Sequence, residues 1–385
     1  MSLTIDREYL VKTLTDLVRI NSINPTLVPD GAGETEIAAY IAEALGRLGL
    51  EVAIHEAAPG RASTVGILKG SGGGRSLMLN GHIDTVSVEG MPEPFSAEIR
   101  EGRLYGRGAY DMKGSVAACM AAVKALVEAG ISLQGDLLLA AVADEEYASV
   151  GTADVVARYK VDGAIVTEPT HLQLCLAHKG FIWLEVETLG RAAHGSRFEE
   201  GIDANMRMGR FLAELDHLEQ QLRQRPAHPL VGPPSLHAAL LKGGTELSAY
   251  AARCQLNIER RTIPGESEVQ VLAEIQAIVD RLNAADPTFK ANVKALVTRL
   301  PFYTSPEAEL VSVVEAATSA ILGQTPTRIG QPFWADTALL AEAGVETVMI
   351  GPRGAGAHAK EEWIDLESVE QFTHILVEAV LRYCG

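Results

Sequence analysis

The chain has 385 residues, more than one hydrophobic core usually serves, so two domains are expected. Its formal net charge of -17 would repel a phosphate backbone and no Lys/Arg cluster offsets it, which excludes nucleic acid as an expected partner. With 47% hydrophobic and 22% charged residues, the composition excludes a disordered or collagen-like chain.

In chain order, Asp6 to Ile20 and Glu34 to Leu48 place leucines and isoleucines at helical spacing and read as amphipathic helices. Strands come next at Thr64 to Leu68 and Ser76 to Asn80, split by the turn Gly70-Ser71-Gly72-Gly73-Gly74. An Ala-rich helix from Gly114 to Ala129 precedes the strand Asp136 to Ala143, and a helix over Thr152 to Tyr159 precedes the strand Gly163 to Val166. Such alternation predicts an α/β fold, a mostly parallel sheet flanked by helices.

From Gly180 the order changes to strand Phe181 to Thr188, helix Ala204 to Leu222, strands Leu236 to Leu241 and Arg253 to Glu259, helix Glu268 to Leu282 and strand Lys290 to Val297. That β-α-β-β-α-β order is ferredoxin-like and reads as a domain inserted into the first. The alternation then resumes with helices Glu307 to Leu322 and Thr337 to Ala343, strand Glu346 to Ile350 and helix Leu366 to Arg382. The expected division is therefore 1–179 with 298–385 as one domain and 180–297 as the insert.

The apolar stretch Leu137 to Ala143 falls far short of the roughly 20 residues that span a bilayer, so no membrane partner is expected. The opening residues Met1 to Asp6 lack the basic and apolar regions of a secretory signal. Cys119, Cys175, Cys254 and Cys384 are far apart and form no CxxC pair, which suits a reducing compartment and speaks against a thiolate metal site. The expected location is the cytoplasm.

The chemistry gathers just beyond the strand ends. Ser76 to Asn80 runs into Gly81-His82-Ile83-Asp84-Thr85, Asp136 to Ala143 into Asp144-Glu145-Glu146, Gly163 to Val166 into Thr167-Glu168, and Glu346 to Ile350 leads toward His358. Ligands of open α/β sheets bind beyond the carboxyl ends of strands, so these groups converge on one crevice, which Asp111 can join. Two histidines and several carboxylates without cysteine suit zinc better than calcium or magnesium, and the carboxylates are too many for one ion, which points to a two-metal site. Of Glu145 and Glu146, one can ligate metal while its neighbour faces water as general base. The spacing of two in His82-Ile83-Asp84 lets Asp84 hold the other ring nitrogen of His82. Singly, each residue has a plainer alternative: His82 a satisfied histidine, Asp111 an N-cap of the next helix. His194, in Ala193-His194-Gly195-Ser196 on the insert, has little context of its own.

The segments GHIDTV (81–86), GRGAYDMKG (106–114), ADEE (143–146), TEPT (167–170), AHGS (193–196) and GAHAKEEW (356–363) give the chain a resemblance, over nearly its whole length, to a family of co-catalytic zinc metallopeptidases. This is the family of acetylornithine deacetylase, succinyl-diaminopimelate desuccinylase, aminoacylase and glutamate carboxypeptidase. The resemblance implies that His82 and Glu168 hold one metal and Glu146 and His358 the other, with Asp111 bridging. It implies two divalent ions, zinc expected with cobalt or manganese as alternatives, Glu145 as base, Asp84 as partner of His82, and a cis Asp111-Met112 peptide. It also implies that the insert is a lid and dimerisation domain, and that His194 reaches the active site of the partner in a homodimer. Glu168, where the peptidase branches have aspartate, resembles the deacetylase and desuccinylase branch. The family's substrate-touching asparagine, found after a Gly-Gly and three residues before a proline, is replaced: here Gly243-Gly244 leads to Ser248 and Ala251. Arg261 matches the family's arginine and can clamp a substrate carboxylate, or form a surface ion pair. The expected activity is hydrolysis of the amide of an N-acyl amino acid by a metal-held water that Glu145 activates. A dipeptidase or carboxypeptidase acting on a short peptide is the alternative, and a non-catalytic metal-bound scaffold a remote one.

Overall fold

The computed structural model describes residues 3–385; Met1 and Ser2, part of the stretch read above for a secretory signal, lie outside the described residues. The chain divides into two compact units: one runs to Leu176 and resumes over Thr304–Ile329 and Ala335–Gly385, the other comprises Ala177–Tyr303 and Gly330–Trp334. The boundaries read from sequence, 180 and 297, lie inside this second unit's edges, because the short strands Leu174–His178 and Phe302–Tyr303 carry no alternating pattern to mark them.

The first unit is built on a sheet whose centre is four parallel strands side by side: Leu137–Val142, Leu77–His82, Gly163–Val166 and Glu346–Met349. Every residue of Leu77–His82 and Leu137–Val142 is buried, as strands covered by helices on both faces must be. Arg61–Leu68 and then Glu51–Ala58 extend one side antiparallel, and Leu174–His178 the other. Glu51–Ala58 is absent from the sequence reading because polar His55 and Glu56 interrupt its apolar residues, which suits its half-exposed edge position.

The Ala-rich helix Gly114–Glu128 is buried on nearly all sides, against Arg7–Arg19 and the C-terminal helix Leu366–Cys384. That is why its sequence is apolar throughout rather than striped. Side-chain caps start the other two: Asp6 accepts the Tyr9 N–H and Asp365 that of Ser368. Truncating a fully buried core residue such as Leu79 or Phe372 to alanine would cost about 2–5 kcal/mol.

The second unit is a four-stranded antiparallel sheet in the order Ser235–Gly243, Arg253–Thr262, Gly180–Leu189, Lys290–Arg299. Its helices Ala204–Gln224 and Glu268–Ala285 cover one face. Along Gly180–Leu189 burial alternates, Ile182, Leu184 and Val186 pointing into the core with Phe211, Leu215 and Ile275. The predicted β-α-β-β-α-β order is therefore the observed one.

Candidate active site

The parallel centre of the sheet explains why the site forms where it does. His82 ends its strand and pairs with Val142, while Glu145 and Glu146 come after that neighbouring strand and Glu168 after the strand on the other side. Three parallel neighbours ending together deliver all four side chains to one edge. Asp111 comes from the irregular turn Ala109–Lys113 that leads into Gly114–Glu128, and His358 from the loop between the short strands Gly354–Ala355 and Trp363–Asp365.

Asp111 is the centre of the arrangement. Its Oδ1 lies 3.0 Å from His82 Nε2, which is also 3.6 Å from Glu168 Oε1. Its Oδ2 lies 3.3 Å from His358 Nε2, which is 3.0 Å from Glu146 Oε2. One carboxylate thus joins two histidine-carboxylate pairs, one oxygen to each. Ligand atoms of His82, Glu145 and Glu168 fall within 4.8 Å of one another, as do those of His82, Asp111 and Glu146. Asp111 does not cap the helix after it, whose first turn has no side-chain cap. The Asp111-Met112 peptide is cis, the form the resemblance implies.

The electrostatics of this cluster fit cations. Burial, then Glu168, holds the Glu145 carboxyl well above the usual range. Burial, with Asp111 next, raises Glu146, and burial raises Glu168 despite the opposing His82. Asp111 goes the other way, the hydrogen bonds of His358 and His82 outweighing its burial. Those bonds to Asp111 and Glu146 push His358 up to about 10. His82, which burial alone would lower, is raised by Glu168, Asp111 and Asp84. Four carboxylates crowded around two imidazoles have too few positive partners. Nitrogen and oxygen donors converging this closely are what a divalent ion needs, and they fit such a group.

Around them lies a layer the sequence reading only partly reached. His82 Nδ1 is 3.0 Å from the backbone carbonyl of Asp84, whereas the Asp84 carboxylate stands 3.6 Å away. The carbonyl therefore fixes the Nδ1–H tautomer and leaves Nε2 facing Asp111. The carboxylate instead accepts the backbone N–H groups of Glu145 at 3.0 Å and Glu146 at 3.2 Å and the Asn24 amide at 2.8 Å. Behind it, buried Arg61 joins Glu34, Asn24 and Asp144, and so secures the residue before Glu145, which sits in the left-handed region at φ 69°. Asp336 is buried with Oδ2 accepting from Thr152 Oγ1, and burial raises it to about 6. Lys113 is fully buried, donates to the Ile20 carbonyl at 2.8 Å, and is lowered by burial to about 7. Lys113 and Asp144 stand inside recognised motifs and were findable there. Asn24, Glu34, Arg61 and Asp336 carry no local signal.

Three residues singled out in the sequence belong to the second unit. His194 is exposed, its Nδ1 2.8 Å from Ser196 Oγ. Its segment is tied to that of Ser248: Gly195 N–H donates to the Ser248 carbonyl at 2.7 Å and Tyr250 N–H to the Ala193 carbonyl at 2.9 Å. Arg261 is half-buried, paired through Nε with Glu259 at 2.6 Å, its guanidinium 5.3 Å from the centre of the Phe181 ring. The structure brings His194 and Ser248 together and sets Arg261 at the other end of the sheet.

The fold and this cluster define a metallohydrolase, and the sequence comparison names the group: a profile of Peptidase family M20/M25/M40 matches residues 78–382, so the chain belongs to that family. It is 28% identical over 384 residues to an acetylornithine deacetylase of Myxococcus xanthus, covering 97% of each chain. It is 30% identical over 394 residues to the N-formyl-4-amino-5-aminomethyl-2-methylpyrimidine deformylase of Bacillus subtilis, covering 94% of this chain and 92% of that one. Its fold matches the structure of a dinuclear metal-binding M20 peptidase of Bacillus subtilis with a TM-score of 0.76 at 15% identity, over 98% of each chain.

Proposed function

We propose that this protein removes a small acyl group from the nitrogen of an N-acylated amino acid or related amine, by hydrolysis of the amide at a centre of two divalent ions. The observation that carries the reading is the shared Asp111, with one oxygen toward His82 and the other toward His358. In this reading His82 and Glu168 would hold one ion, Glu146 and His358 the other, and Asp111 would serve both. Zinc suits the mixed imidazole and carboxylate donors, with cobalt or manganese as substitutes. Such ions would acidify a bound water toward neutrality and polarise the carbonyl.

The remaining work falls to the chain's own groups. Glu145 is half-buried, with Glu168 close by, which favours its protonated form, and neighbouring cations would return it to the ionised base. Its carboxylate then accepts a proton as water attacks the amide, and donates that proton to the departing amine. Asp84 orients His82 through its carbonyl and the Glu145-Glu146 backbone through its carboxylate. The relatives are named for removal of an acetyl group from acetylornithine and of a formyl group from an N-formyl pyrimidine, and these names favour this reading over a peptidase.

The domain 180–297 would serve as lid and dimerisation domain, with His194 supplied to the partner's site, and Arg261 and Ser248 as substrate contacts. His194 adjoins the Arg253 end of the strand Arg253–Thr262, and Arg261 lies roughly 27 Å along it, at eight residues' rise. One copy cannot bring both to one small substrate, whereas two copies in a homodimer can. A cytoplasmic location suits four buried free cysteines.

The test is amine release from N-acetyl, N-formyl and N-succinyl amino acids and simple dipeptides, by chelator-treated protein restored with zinc, with Glu145→Ala as control. Zinc-dependent release from one acyl class, absent in the control, supports the proposal. Cleavage of dipeptides alone moves the assignment to a peptidase, and silence on all substrates by metal-loaded protein overturns the proposed acyl-group assignment.

A further inference from the structure

Two buried charges of the recognised motifs have no part in the chemistry above. Arg107 is 3% exposed and Glu362 1% exposed, and their side chains meet at 2.6 Å. A buried ion pair is weak evidence for stability, since desolvation offsets most of the attraction. What distinguishes this one is where its other bonds go.

Glu362 Oε1 accepts the backbone N–H groups of Tyr110 at 2.9 Å and Asp111 at 3.0 Å, and Oε2 accepts that of Gly108 at 3.0 Å. These are donors of an irregular turn that has no helical or sheet partners for them. Arg107 donates from Nε to the Ser87 carbonyl at 3.0 Å and from Nη2 to the Ala359 carbonyl at 2.8 Å. The pair therefore fastens the turn of Asp111 directly to the segment of His358, four residues before Glu362. The neighbouring strands reinforce it, Trp363–Asp365 pairing with Arg103–Tyr105. His82 and Glu168, in contrast, are fixed by the ends of parallel strands that this clasp does not hold.

We propose that Arg107 and Glu362 are a positioning pair that sets the separation of Asp111 and His358, and thereby the affinity of the ion shared by Asp111, Glu146 and His358. This rests on the two-metal reading. Glu362→Gln turns one acceptor oxygen into a donor that faces donors, so the Asp111 turn must shift. Arg107→Lys keeps the charge but cannot span Ser87, Ala359 and Glu362 at once.

The test is calorimetric zinc titration of the chelator-stripped full chain, with hydrolysis measured in parallel. Wild type should take two ions. In Glu362→Gln the ion of His82 and Glu168, which keeps its two strand-end donors, should weaken least, and the ion of Glu146 and His358 should bind about 10–100-fold more weakly than in wild type. Activity lost at stoichiometric zinc should return in excess zinc, with KM little changed. Arg107→Lys should behave alike and carries the test if Glu362→Gln does not fold. Wild-type affinity for both ions, equal weakening of both, or failure of both variants to fold would overturn the proposal. A wild type that takes fewer than two ions would instead overturn the two-metal reading beneath it.

Discussion

The Asp84 carboxylate accepts the backbone N–H of Glu145 at 3.0 Å, so the residue that steadies His82, a proposed metal ligand, also fixes the proposed base. Because the same carboxylate takes the N–H of Glu146, Asp84→Asn disturbs ligand and base together. Loss of such an orienting partner typically costs about 10–100-fold in metal affinity or activity, and that range is expected here. Steady-state kinetics at saturating zinc, with zinc content measured alongside, checks it; an unchanged kcat with full metal would show the backbone bonds to be dispensable.

Glu145→Gln preserves size and removes the proton acceptor. Since its neighbours Glu146 and Glu168 hold the metal in this account, zinc content should stay at the wild-type level while kcat falls by about 10²–10⁴-fold. Retained activity in a folded, metal-loaded variant would remove Glu145 from the mechanism.

In the metal-free chain Glu146 and Glu168 are raised from the ordinary 4.5 by burial first, and His358 from 6.5 to about 10 by its bonds to Asp111 and Glu146. Each holds its proton more firmly folded than unfolded, so its stabilisation is complete below the unfolded value and is lost as pH climbs to the folded one. Asp111 is shifted downward, and its contribution is lost only in acid. The melting temperature of chelator-stripped protein should therefore fall progressively between about pH 4.5, where the glutamates begin to titrate unfolded, and about pH 10, where folded His358 loses its proton. Zinc affinity should rise over the same interval, because binding expels those protons. Thermal melts with and without zinc read both, and a flat metal-free profile would contradict the assignment.

If His194 acts across a dimer, His194→Ala and Glu145→Gln should each be inactive alone and regain activity when mixed and allowed to exchange subunits. Each mixed dimer then has one site with both groups intact. No recovery, with exchange confirmed by native mass spectrometry, would place His194 in its own subunit's site or outside the chemistry.

What the residues revealed in advance depends on how local each signal is. His82 ends, and Glu145 and Glu168 closely follow, apolar runs that read as buried strands, so their convergence was legible from pattern. The pairing of Asp111 with His358 came from motif resemblance, since the irregular turn and the loop that carry them have no periodicity. The role of the Asp84 side chain was read only in part, because a spacing of two predicts a shared face but not that the backbone carbonyl would reach the ring first. Arg61, Asn24 and Glu34 were invisible: they meet Asp144 and Asp84 through contacts far apart in sequence, which no local pattern encodes.

The central claim is that Asp111 joins two metal ions, and it is tested most directly by dialysing chelator-stripped protein against zinc and measuring bound metal per chain. The account predicts saturation at two zinc ions in the wild type and a loss of that stoichiometry in Asp111→Ala. Saturation of the wild type at one ion, or full retention of two in the variant, would contradict it.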